Sequence, residues 1–203
     1  QKNLLIAQET DDTKIIEDAL AQIISDCTYG KIDPYQYPLF DIEFLFLRMR
    51  GKSVGEKIQI NLLCPDDGET RVNTEIDLSK VNVQMNVEHT NTIKITDSIT
   101  VVMKYPTLSD MNSFNTEGQI DSIFEMIKKC VFEVHDGDEI HHRIDISDSD
   151  LDEFIGSMNT ENFEAMSAFF ETMPKIMHIV EVTNPKTKKK SEIPLEGLQN
   201  FFA

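Results

Sequence analysis

The chain has 203 residues, of which 40% are hydrophobic, and a formal net charge of -17. This length and composition favour a globular protein with one substantial core, or two small ones, over a disordered chain. The negative charge argues against nucleic acid as a ligand because phosphate binding relies on Lys and Arg, and no apolar run approaches the roughly 18 residues that a membrane span needs.

The first part of the chain, residues 1–56, is predicted to be helical. It begins with Gln1 rather than Met, and QKNLLIAQET starts in mid-pattern, so we expect the N-terminus to be incomplete. Apolar residues recur at helical spacing over residues 12–28. A second helix is expected over residues 38–50, ending at Gly51, and its apolar residues on more than one face predict a central position.

Residues 57–105 form a predicted β section. Apolar and polar residues alternate over 58–62 and again over 72–78, on either side of Cys-Pro-Asp-Asp-Gly, which is typical of a hairpin. The stretches TIKI and ITVVMKYP predict two further short strands.

Residues 106–174 form a predicted acidic helical part. Helical spacing runs from Ile120 to Val134, followed by a turn at HDGDEI. A further helical stretch is expected from about Ser149, where Ser149 and Asp150 can cap it, to about Met173, before Pro174. Positions 133 to 171 contain twelve Asp or Glu residues but only one Lys or Arg residue, Arg143. This excess of acid predicts either a solvated acidic face or a docking face for a basic partner.

Residues 175–203 complete the chain as a hairpin and tail, with KIMHIVEV, the turn TNPKTKKK and SEIPLEGLQNFF. No tandem repeat or low-complexity linker separates the parts. We therefore expect one compact α+β body, helical overall, with an inserted antiparallel β section.

Two turns in this sequence resemble the knuckles of a zinc ribbon. CPDDG and NPKTK each lie between two predicted strands, and the ligand positions would be Cys64, Asp67, Asn184 and Thr187. A structural zinc site takes thiolates or imidazoles at four positions, and only one of these is a thiol. We therefore predict that the turns lie close together without metal, and that Lys186–Lys190 face the acids of the first turn.

A second candidate site is the histidine cluster of HDGDEIHHRIDISDSD. An acidic metal-binding protein or enzyme could use His135, Asp136, Asp138, His141 and His142. The stretch fails the EF-hand pattern, and adjacent histidines cannot share one helical face as in HExxH. No catalytic constellation, phosphate loop or cofactor motif is recognisable, so the sequence predicts a protein that is not an enzyme and binds no cofactor.

The order of several motifs resembles one family. The run CTYGKIDPYQYPLFDIEFLFLRMRGKSVGE, the CPDDGE turn, FFETMPKIMH and IPLEGLQNFF are similar to the baseplate hub and hub-assembly proteins of T4-like contractile-tailed bacteriophages, over residues 14–202. Members of that family often carry C-P-x-C-G at both hairpins, so this chain resembles a version that has lost the metal. The resemblance implies a late structural or assembly factor that acts by binding.

Several expectations about partners follow. The resemblance implies contacts with other baseplate or tail hub proteins, a place in the host cytoplasm during assembly, and either retention in the virion tail baseplate or release, as for a chaperone. A homo-oligomer is plausible on a symmetric tail. The tail residues Leu198, Phe201 and Phe202 either bind a partner or fold back on the core. A mimic of nucleic acid is a third, separate hypothesis for the acidic face.

Overall fold

The structure, a computed structural model, describes residues 13–110 and 119–201. Within them it contains five α-helices and nine β-strands, and the strands form three antiparallel sheets. The predicted α+β class is therefore confirmed. Contacts within the chain divide it into two compact units, unit 1 with residues 1–84 and 174–203, and unit 2 with residues 85–173.

Unit 1 combines two helices with a hairpin and a three-stranded sheet. Its described elements are α1 (Thr13–Cys27), α2 (Leu39–Val54), β1 (Lys57–Leu63), β2 (Arg71–Asp77), β3 (Asn82–Gln84), β8 (Lys175–Thr183) and β9 (Lys190–Glu196). Strands β1 and β2 pair with each other, and the sheet has the order β3-β8-β9. Short 3-10 helices lie at Pro34–Gln36, Leu78–Lys80 and Leu198–Phe201.

Helix α2 supplies much of the core of unit 1. Ile42, Phe46 and Leu47 are buried on it, which agrees with its predicted central position. The helix continues past Gly51 to Val54, beyond the predicted end. Gly51 is buried inside the helix and does not end it; the residue that follows the helix is Gly55, whose φ is 125°.

The guanidinium of Arg48 fastens α2 to the segment after β2. It donates hydrogen bonds to the backbone oxygens of Ser79 at 2.8 Å and Val81 at 2.9 Å. It also lies 4.7 Å from the centroid of the Phe44 ring. These contacts leave few donors of Arg48 for any ligand, so its role is structural.

Unit 2 packs helices against one face of a four-stranded sheet. Its described elements are β4 (Thr92–Lys94), β5 (Ile99–Met103), α3 (Gln119–Cys130), β6 (Val131–Asp136), β7 (Glu139–His142), α4 (Asp148–Gly156) and α5 (Thr160–Thr172), with a 3-10 helix at Arg143–Asp145. The sheet order is β4-β5-β6-β7. Val101, Val134, Leu151 and Phe169 are among the buried residues of its core.

The change from helix to strand after Cys130 corrects the predicted helix through Val134. Val131 and Val134 satisfy helical spacing, but Val134 pairs with Val101 of β5, and both side chains enter the core from the sheet. The predicted strands at TIKI and ITVVM and the turn at HDGDEI are confirmed as β4, β5 and the β6–β7 hairpin.

The caps of the last two helices differ slightly from those predicted. Ser147, rather than Ser149 or Asp150, caps α4, because its hydroxyl accepts the N–H of Asp150 at 3.1 Å. Asn159 caps α5 by accepting the N–H of Asn162 at 2.8 Å.

The four predicted segments do not coincide with the two units. The β section 57–105 is divided between them, and the acidic segment 106–174 contains strands β6 and β7 as well as helices. Strand β3 pairs with β8, with Asn82 opposite Met177, so residues far apart in sequence complete one sheet. Local periodicity does not carry that information.

Candidate functional site: two matched turns

The two turns predicted to resemble knuckles lie at the ends of two hairpins. The first turn, residues 64–70, joins β1 to β2, whose pairing ends with Leu63 opposite Arg71. The second turn, residues 184–189, joins β8 to β9, whose pairing ends with Thr183 opposite Lys190. Each turn therefore begins directly after a strand and has proline as its second residue.

The two turns have similar backbone hydrogen bonds, although the first turn is one residue longer than the second. In the first, the Cys64 N–H donates to the Thr70 oxygen at 2.7 Å, and the Gly68 N–H donates to the Cys64 oxygen at 3.0 Å. In the second, the Asn184 N–H donates to the Lys189 oxygen at 2.9 Å, and the Lys188 N–H donates to the Asn184 oxygen at 2.9 Å. The layout that the sequence predicts is thus present in the backbone.

The fifth residue of each turn has a left-handed backbone. The φ angle is 66° at Gly68 and 63° at Lys188. Glycine adopts this conformation at little cost, whereas a lysine is strained in it. Lys188 keeps the conformation of its glycine counterpart although its own side chain disfavours it.

Direct hydrogen bonds join the two turns. The Asn184 amide donates from Nδ2 to Oδ1 of Asp66 at 2.9 Å, and the Thr187 hydroxyl donates to Oδ2 of the same carboxylate. The prediction that the turns lie close together is confirmed. One carboxylate of the first turn therefore receives donors from two positions of the second.

Asn184 holds its own turn as well. Its Oδ1 accepts the N–H groups of Lys186 at 2.8 Å and Thr187 at 3.3 Å, and the residue is fully buried. A buried amide must have partners for both of its ends. Here the oxygen caps the second turn, and the nitrogen reaches the first.

Asp67 plays the corresponding part in the first turn. Its Oδ1 accepts the N–H of Thr70 at 3.0 Å, and its Oδ2 accepts the Thr70 hydroxyl at 2.6 Å. The hydroxyl of Thr70 holds the pKa of Asp67 well below its usual range, with further help from Asn184. The pKa of Asp66 is also lowered, first by the hydroxyl of Thr187 and then by the amide of Asn184. Both carboxylates therefore stay ionised as hydrogen-bond acceptors.

Cys64 is fully buried beside these two carboxylates. Burial, and then the charges of Asp66 and Asp67, raise the pKa of its thiol. A metal ligand or a nucleophile would need the thiolate, which this setting disfavours. Cys64 thus packs as a small neutral side chain.

The structure brings together the four predicted knuckle positions, Cys64, Asp67, Asn184 and Thr187, but the residues there do not fit zinc. An amide and a hydroxyl occupy the second turn, and the hydroxyl and the amide nitrogen both donate to Asp66. Residues 13–110 and 119–201 contain no group of three or more His, Cys, Asp or Glu side chains that could hold a metal ion. Hydrogen bonds take the place that metal bonds have in a zinc ribbon.

Lys190, directly after the second turn, has a partner other than the predicted ones. Lys190 forms an ion pair with Glu181 at 2.8 Å within its own hairpin. Among the described residues, no ion pair links Lys186–Lys190 to Asp66, Asp67 or Glu69, so that expectation was wrong. Neutral donors reach Asp66 instead.

The histidine cluster forms a different arrangement on β6 and β7. Glu133 lies between His135 at 2.9 Å and His142 at 3.2 Å, because the sheet register places Glu133 opposite His142. His141 lies 3.8 Å from Glu139. Asp136 and Asp138 are exposed at the hairpin turn and are not drawn into this group. The arrangement is one carboxylate between two imidazoles.

The tail residues do not all lie where a partner could reach them. Leu198 and Phe201 are buried, with 8% and 1% of their surfaces exposed, and Phe202 lies outside the described residues. Partner binding through Leu198 or Phe201 would require these side chains to leave the core.

Sequence reasoning missed the residue that positions this tail. Glu43 of α2 accepts the N–H of Leu198 at its Oε1, 3.2 Å away. Burial raises the pKa of Glu43 to about 7. The signal that could have indicated it is an acid flanked by apolar residues, Ile42 and Phe44, in the apolar part of α2.

These features define an α+β protein whose paired hairpin turns are joined by side-chain hydrogen bonds. The model of the T4 bacteriophage base plate protein family matches residues 1–203, so the chain belongs to that family. No curated protein and no solved structure gives a significant match. None of the described helices has the length and apolar character required to cross a membrane.

Proposed function

We propose that this baseplate protein is a hub component or a hub-assembly factor, and that it acts through protein-protein contacts without catalysis. The observation that carries the proposal is the family match over the whole chain. The resemblance of the motif order to hub proteins supports the more specific role. Its partners are then other baseplate or tail hub proteins, with no role for nucleic acid.

Of the three described cysteines, Cys27 is exposed, and the chemistry of the other two supports a role without catalysis. Cys64 and Cys130 are both fully buried, and burial raises the pKa of the Cys130 thiol to about 12. Buried thiols of this kind are inert as nucleophiles. The carboxylates of the matched turns are engaged in hydrogen bonds within the fold, and this use favours structure over reaction.

The proposal places the protein in the host cytoplasm during assembly and then, in one form, in the virion tail baseplate. A ring of copies is consistent with the symmetry of a tail. In the other form the protein leaves once the hub has been assembled.

Cryo-EM of intact virions and of purified baseplates, with pull-downs from infected cells, tests both forms. Density for the chain at the tail tip would support retention. Recovery of tail proteins in the pull-down, with no such density, would support a transient factor. A bait carrying the same tag on an unrelated acidic protein is the control for charge. Failure of both measurements would refute the proposal.

A further inference from the structure

We propose that the outer edge of strand β7, together with Ile144, docks an extended basic segment of a partner protein, which adds to the sheet as a further strand. The proposal rests on the proposed function in one respect, the expectation of protein contacts. Strand β7 ends the sheet order β4-β5-β6-β7, and within the described residues it pairs with β6 alone. An unpaired strand edge is a template for another strand.

The edge carries large aliphatic side chains that face water. Ile140 on β7 is 54% exposed, and Ile144, just beyond the strand, is 91% exposed. The other side chains of β7 are exposed as well. Scattered exposed aliphatic residues are ordinary on a protein surface, but Ile140 lies on the unpaired strand and Ile144 follows the end of that strand by two positions. An added strand could cover both.

The charge around this edge selects the partner. Residues 131–153 contain nine Asp or Glu side chains and, of Lys and Arg, Arg143 alone. Arg143 is occupied, because it pairs with Asp148 and donates to the Ile146 oxygen at 2.8 Å. Three acids of the hairpin, Asp136, Asp138 and Glu139, are exposed. A basic segment is attracted to this field, while a second copy of the chain would meet its own acids.

The edge also lacks two features by which proteins block strand addition, a lysine and a proline on the strand. Strand β9, at the edge of the sheet in unit 1, contains Lys190 and Pro194. Lysine and proline are common means of protecting an edge. Strand β7, Glu-Ile-His-His, contains neither. This difference favours use of the β7 edge for binding.

A synthetic peptide tests the proposal on the isolated full chain. The probe alternates Lys and Val over about seven residues, a typical strand length, and a matched peptide has Glu in place of Lys. We expect the Lys peptide to bind and to protect β7 amides from hydrogen exchange. Raising the ionic strength from about 0.05 M to about 0.5 M should weaken binding by about tenfold, because salt screens the attraction.

Matched variants distinguish peptide binding at the β7 edge from nonspecific binding to exposed aliphatic side chains. The double variant Ile140→Ser and Ile144→Ser should bind the peptide at least about fivefold more weakly. Val87→Ser, which removes another aliphatic side chain that is 98% exposed in unit 2, should leave binding unchanged. Melting temperatures near that of the parent would show that both variants are folded.

Three results would overturn the proposal: no binding of the Lys peptide up to about 1 mM, equal binding of the Glu peptide, or undiminished binding to the double variant. These outcomes do not depend on whether the protein is found at the tail tip. A result that refutes peptide binding at the β7 edge can therefore be distinguished from a result that refutes the hub role.

Discussion

Replacement of Asn184 by alanine should destabilise unit 1 strongly, since this residue bonds with both turns. The change removes the amide bond to Asp66 and the two bonds from the backbone N–H groups of Lys186 and Thr187. A typical hydrogen bond contributes about 0.5–1.5 kcal/mol. Three of them at a fully buried residue give an expected loss of about 2–4 kcal/mol in the free energy of unfolding.

Urea unfolding followed by circular dichroism measures this loss, and hydrogen exchange locates it at the two turns. Asn184→Asp refines the test. It keeps an oxygen for the backbone donors but removes the amide donor and opposes the Asp66 carboxylate, so it should also destabilise at neutral pH. Asn73→Ala, at an exposed position of β2, is the control and should change stability by less than about 0.5 kcal/mol. An equally small change for Asn184→Ala would refute the joining role.

Three further predictions concern the same unit. The pKa of Glu43 is about 7 in the folded chain against an ordinary 4.5, so the native state keeps a proton that the unfolded chain has lost. Stability should therefore fall by about 1–3 kcal/mol as pH rises between these values, and Glu43→Gln should remove that dependence in urea titrations at each pH. Lys188→Gly should stabilise by about 0.5–1 kcal/mol, and Gly68→Ala should destabilise by about 1 kcal/mol, because both positions have positive φ; opposite signs in thermal melts would contradict this reasoning. Cysteines in place of Asp67, Asn184 and Thr187, added to Cys64, should produce a chain that binds one zinc ion and melts earlier in chelator; elemental analysis that finds no zinc would show that the turns lack ribbon geometry.

The sequence predicted the convergence of the turns because both carry the same local signals. Each has proline at its second position and lies between alternating strands, and strand pairing then brings the turn backbones into matching forms. Local sequence signals do not show which side chains form the hydrogen bonds between the two turns. Asp66 and Asp67 are adjacent acids, and nothing in their neighbourhood indicates which of them reaches Asn184, 118 positions later.

The misplaced helix end has a similar cause. Ile127, Val131 and Val134 have the i, i+4, i+7 spacing of a helix, although the helix ends at Cys130 and Val131 begins a strand. The segment is a strand because it pairs with β5, where Val101 lies opposite Val134. The burial of Phe201 likewise depends on another element, the helix that carries Glu43, and a sequence pattern within the tail cannot reveal it.

The division of the chain sets an order for folding during synthesis. All of unit 2 is contiguous, so its contacts are available before the ribosome reaches strand β8. Unit 1 must wait, because β3 pairs with β8 and the first turn binds the second only after residue 187 has emerged. Domains generally fold as units while the chain emerges. The turn between β1 and β2 therefore stays without these partners until then, and the hydrogen bonds of Asp66 to Asn184 and Thr187 form only after residue 187 has emerged.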